Sequence, residues 1–149
     1  MKTFDKESLK KKVGLMAIIS AVIIVALLSF WFFAGRVKTD AGSESMHVTG
    51  IVRGYTIGYD QVTSVKLLSH FNTGKGKLLR SVETYATDNG EYESDAYGEY
   101  RLDIYRNVSR YIVVTTPDGT FVLNAKSPKA TEALYRALCE SVRDAGGSV

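Results

Sequence analysis

Residues 13–35, VGLMAIISAVIIVALLSFWFFAG, form the longest run without a charged side chain, and every helical turn of it would be apolar. At about 1.5 Å per residue, 23 residues of helix rise ~34 Å, enough to cross a bilayer core of ~30 Å. The only polar side chains in it, Ser20 and Ser29, can bond back to their own helix. A buried core helix of a small domain would show a polar face, and a cleaved signal peptide would have a shorter apolar core and small residues at its exit. Residues 13–35 are therefore read as a retained transmembrane anchor.

Beyond residue 45 the pattern changes to short alternating runs. Residues 46–57 hold Val48, Ile51, Val52, Tyr55 and Ile57 among Gly50 and Gly54, which reads as one strand with bends. Residues 62–69 and 78–86 read as further strands, separated by a glycine-containing loop over 70–77. Asp88-Asn89-Gly90 has the composition of a turn. In residues 99–105, Tyr100, Leu102 and Ile104 alternate with Glu99, Arg101 and Asp103, giving one apolar and one polar face. YIVVTT (111–116), Pro117-Asp118-Gly119 and TFVLNA (120–125) predict a β-hairpin, because proline sets φ for the turn and glycine takes its left-handed position. Ser127 then caps a helix with Pro128 at its first position and Glu132 in its first turns. Thr131, Leu134, Tyr135, Leu138 and Val142 form its apolar stripe, and Ala145-Gly146-Gly147 ends it.

Charge divides the chain in the same place. The net charge of +3 arises in residues 1–40, where seven Lys or Arg face three Asp or Glu; residues 41–149 carry twelve against thirteen. The domain thus has no electrostatic case for a nucleic-acid partner. Five lysines precede the apolar run, while Arg36 and Lys38 follow it. The positive-inside bias then gives a cytoplasmic basic N-terminus over residues 1–12, and a domain outside the cytoplasm. Residues 36–45 read as a linker and residues 46–149 as one compact domain. A lone cysteine, Cys139, permits no intrachain disulfide and is read as a small apolar residue on the last helix.

Residues 97–142, from Tyr97-Gly98-Glu99-Tyr100-Arg101 through YIVVTT, Pro117-Asp118-Gly119 and residues 120–124 to the Ser127–Leu138 helix, resemble bacterial pleckstrin-homology-like domains. That resemblance implies an α+β chain: a transmembrane helix, then an antiparallel β-barrel or sandwich of about seven strands capped by a C-terminal helix. It implies a non-enzymatic binding or scaffolding module.

No catalytic constellation accompanies it. His47, His70 and Cys139 lack metal-ligand spacing, no cofactor motif occurs, and Thr73-Gly74-Lys75-Gly76-Lys77 is followed by a strand rather than the helix a phosphate loop opens into. An acidic stretch, Asp88-Asn89-Gly90-Glu91-Tyr92-Glu93, fails the calcium-loop pattern and reads as a solvated hairpin tip. Residues 61–82 carry only cations (Lys66, Lys75, Lys77, Arg80) and residues 83–99 only anions. These pair across strands, or else Lys75, Lys77 and Arg80 contact an anion such as a lipid headgroup while the acidic segment faces a protein partner. Tyr92 and Tyr97 are candidates for a recognition surface. The alternative is an accessory subunit of a membrane complex, its helix packed against others through Gly14, Ala17 and Ala21.

Overall fold

The computed structural model describes residues 6–34, 38–50, 53–72 and 76–149. It divides into two units, residues 1–34 and 35–149. The first is one helix, α1 (Lys6–Ala34), whose side chains over residues 13–29 are exposed around the whole circumference.

The expected membrane span is not supported. Among the described residues, no helix is long and apolar enough to cross a membrane. With the span go the transmembrane anchor over 13–35, the single-pass location and the cytoplasmic and extracytoplasmic sides assigned from it.

The second unit is α+β, but it is not the seven-stranded antiparallel barrel expected. Among the described residues nine strands form two separate sheets. β1 (Lys38–Ala41), β2 (Ser45–Thr49) and β3 (Tyr55–Gly58) make a three-stranded antiparallel sheet. A 3-10 turn, Tyr59–Gln61, leads into β4 (Ser64–Leu68). β5 (Lys77–Glu83), β6 (Thr87–Ser94), β7 (Gly98–Tyr105), β8 (Tyr111–Thr116) and β9 (Gly119–Leu123) join β4 in an open six-stranded sheet, order β4-β8-β9-β7-β6-β5. The β8–β9 hairpin forms as its turn chemistry predicts, with Gly119 at φ 138°. Its return strand inserts beside β7 in parallel, Arg101 facing Phe121 and Asp103 facing Leu123. That crossover leaves β4 and β5 as free edges, which is why no barrel closes. The burial of β8 and β9 on both faces follows from their near-continuous apolar runs.

Two local readings also change. Residues 46–57 are not one bent strand but parts of two paired ones, Met46 facing Ile57 and Val48 facing Tyr55. Asp88-Asn89-Gly90 is neither a turn nor a hairpin tip; it lies inside β6, between β5 and β7. Gly90 permits this because a Cβ there would meet the Arg80 carbonyl oxygen at 2.6 Å and the Tyr92 ring at 2.9 Å.

The main core lies on one face of the six-stranded sheet, where Val65, Ile112, Val114 and Leu123 meet Met46, Val48 and Ile57 of the small sheet. α2 (Pro128–Asp144) adds Leu138, Cys139 and Val142. Ser127 Oγ caps it by accepting from the Ala130 N–H at 3.2 Å, and Thr131 Oγ1 donates to the Ser127 carbonyl at 2.9 Å while accepting from the Ala125 N–H at 3.0 Å. On the opposite face Tyr100, Leu102, Val113 and Val122 form a second cluster, against which Phe71, Tyr92 and Tyr97 pack.

Candidate functional site

Two of the three residues read from the sequence as anion contacts, Lys77 and Arg80, lie exposed on β5. Their register neighbours on β6 are carboxylates, Glu93 opposite Lys77 and Glu91 opposite Arg80. This arrangement fits cross-strand charge pairing, which supports register. Lys75 lies outside the described residues. Tyr92 and Tyr97 join the aromatic cluster, with Phe71 5.2 Å from Tyr97 and Tyr92 stacked on Tyr100 at 5.6 Å. Among the described residues no group of His, Cys, Asp or Glu is arranged to hold a metal ion.

Side chains of β3, β5, β6, β7 and β9 converge. A groove of about 320 Å³ is lined by Tyr55, Leu79, Glu91, Arg101 and Phe121, with Glu99 and Asp118 at its rim. It is built in rows across the sheet. The pairing of β7 with β9 sets Arg101 beside Phe121, and the pairing of β6 with β7 sets Glu91 beside Arg101. Tyr55 closes one wall, its ring stacked on Phe121 at 4.7 Å. The Arg101 guanidinium lies 5.0 Å from the centre of the Tyr55 ring, and its Nη2 donates to Glu91 Oε1 at 2.7 Å. Arg101 is thus held by a cation–π contact and an ion pair together. Gly119 backs the rim near the Glu99 carbonyl with its positive φ.

One row further in, the polar face of β7 turns inward. Asp103 is only 3 % exposed, and its Oδ1 would meet a Cβ added to Gly50 at 2.5 Å. Burial pushes its carboxyl up to about 7, against the Tyr55 hydroxyl and Arg101, which favour the charged form, and with Asp88, which opposes it. Burial also raises Tyr55 well above its ordinary value, and Asp103 adds to the effect. The Tyr55 hydroxyl and the Asp103 carboxyl act on each other as close neighbours, while among the described residues Tyr55 Oη and Asp103 Oδ2 are buried outside ideal hydrogen-bond geometry. Asn89, the register neighbour of Asp103 on β6, spends its Nδ2 on Thr87 Oγ1 at 3.1 Å and leaves Oδ1 in the same condition. Two carboxylate-bearing rows therefore differ sharply: the outer one is wet, the inner one dry.

Sequence reasoning missed Tyr55, Arg101 and Phe121 as a group. The one available signal was that Arg101 and Asp103 sit two apart in an otherwise apolar sheet segment, a spacing that puts both on one face.

No protein-family model matches the chain, no curated protein matches it, and no solved structure matches it. The pleckstrin-homology resemblance gains no support from these comparisons.

Proposed function

We propose that this chain is a non-enzymatic binding module whose ligand site is the groove between Tyr55 and the β7–β9 pair. The observation that carries the reading is the pre-ordered lining: stacked Tyr55 and Phe121 with Arg101 pinned over the ring at 5.0 Å. A cleft of about 320 Å³ with aromatic walls and a few fixed polar groups has the size and composition of a ligand site. Tyrosine, phenylalanine and arginine are also the side chains that supply most contact energy in recognition.

Among the described residues, Asp103, pushed up to about 7, is a candidate for acid–base chemistry. It does not line the groove and is 3 % exposed, so a molecule seated there has no path to its oxygens. Its position fits a structural role.

The reading is tested by recording nuclear magnetic resonance spectra of the full chain against a tripeptide library. Shifts are expected to concentrate at Tyr55, Leu79 and Phe121, and to vanish in Leu79→Arg, a change at an exposed residue of β5. Binding that perturbs only other surfaces, or that survives Leu79→Arg unchanged, refutes the groove as the site.

A further inference from the structure

We infer that the groove takes a lysine- or arginine-bearing segment of a partner protein; this deepens, and rests on, the reading of the groove as a ligand site. Glu91 is satisfied by Arg101 at 2.7 Å, but among the described residues no ion pair uses Glu93, Glu99 or Asp118. Glu93 and Glu99 are directly opposite in the β6–β7 register, both exposed, and Glu93 has Lys77 on its other side, so an incoming cation is best placed at Glu99. Asp118, in the β8–β9 turn, adds a third carboxylate to this end of the sheet, where Glu99 and Asp118 line the groove.

Behind Glu99 and Asp118 the accessible lining is half-buried Phe121 and exposed Leu79, while Tyr55 is buried and Arg101 is held by Glu91. A cation carried on an apolar stem matches both layers: the stem lies along Leu79 and Phe121 and the charge reaches Glu99 and Asp118. Shape favours a polypeptide. The lining spans β5, β6, β7 and β9, four neighbouring strands at ~4.8 Å spacing, hence a trough about 14 Å long. An extended segment turns every second residue toward such a trough, so a basic and an apolar residue two positions apart both face it.

The test uses the full chain and three probes: a blocked hexapeptide with lysine and valine two positions apart and serine between them, its counterpart with glutamate in place of lysine, and spermidine as a free amine. Affinity is read by calorimetry, and location by the resonances of Tyr55 and Phe121. The lysine peptide is expected to bind more tightly than the glutamate peptide, to weaken with added salt, and to lose roughly fivefold for each of Glu99→Gln and Asp118→Asn, the scale of an exposed ion pair. Both positions are exposed, so circular dichroism should be unchanged in these variants. If the glutamate peptide binds equally well, or the two variants keep full affinity while Leu79→Arg abolishes it, the cationic ligand is wrong and the groove stands. If spermidine binds as tightly as the peptide with the same dependence on Glu99 and Asp118, the partner is a free amine and the protein segment is overturned. If no probe moves Tyr55 or Phe121, the groove itself fails as the site.

Discussion

Asp103→Asn should stabilise the protein, and should do so only where the carboxylate would be charged. In the unfolded chain Asp103 titrates near 3.8; in the folded protein burial raises it to about 7. Between those values the folded state holds a proton that the unfolded state has released. Stability from this group is therefore greatest in acid and falls by about 1.4 kcal/mol per pH unit from pH ~4 to ~7, then levels off. The full span is about 3 units, or on the order of 4 kcal/mol, set against a typical total of ~5–15 kcal/mol.

Asparagine keeps the shape of aspartate and removes the charge. Its amide can also donate toward Asn89 Oδ1, the acceptor left without a donor on the neighbouring strand. The amide keeps part of the desolvation cost, so a gain of roughly 2 kcal/mol at pH 8 is expected, shrinking toward zero near pH 4. Urea unfolding of the full chain and the variant at pH 4.5, 6 and 8 reads this as a growing separation of midpoints. Asp88, also raised by burial, changes the slope of both proteins alike and cancels in the comparison. A variant no more stable than the parent at pH 8, or a separation independent of pH, would refute the assignment of Asp103 as a buried carboxyl opposed to folding when ionised.

Two further perturbations probe the frame that holds the groove. Leu138→Ala, in α2 and packed in the main core, should cost ~2–5 kcal/mol by thermal unfolding; a neutral result would mean the helix is not docked on the sheet. Gly90→Ala should cost about 1–3 kcal/mol, because the added methyl meets backbone and ring atoms that cannot swing aside, and amide exchange should rise in β5 before it rises in β8 and β9. Uniform protection across all six strands in the Gly90 variant would contradict that account.

What could be read directly from the chain was what depends on near neighbours. The β8–β9 turn needs only Pro117-Asp118-Gly119, and the start of α2 needs only Ser127 and Pro128; both formed where local chemistry put them. Asp88-Asn89-Gly90 has equally clear local chemistry and was misread, because tertiary pairing on both sides overrides a turn propensity worth at most about 1 kcal/mol. The apolar run at 13–35 misled for a different reason. There the expectation rested on hydropathy alone, and among the described residues no helix is long and apolar enough to cross a membrane.

The groove shows where such reading stops. Alternation in β7 correctly separates Tyr100, Leu102 and Ile104 from Arg101 and Asp103, but period two defines two faces without saying which is inside. That choice is made by β9, whose parallel insertion brings Phe121 to Arg101, and by β3, which lays Tyr55 over both. Both faces of β7 are consequently buried, one by the aromatic cluster and one by the small sheet. Arg101 can tolerate this because Glu91 and the Tyr55 ring replace its water, while for Asp103, one row deeper, burial outweighs the Tyr55 hydroxyl and Arg101 and pushes its carboxyl up to about 7. The same inward turn that costs stability at Asp103 is what fixes Arg101 and Tyr55 in the floor and wall of the groove. A strand with both charges outward would leave the trough without its ordered lining.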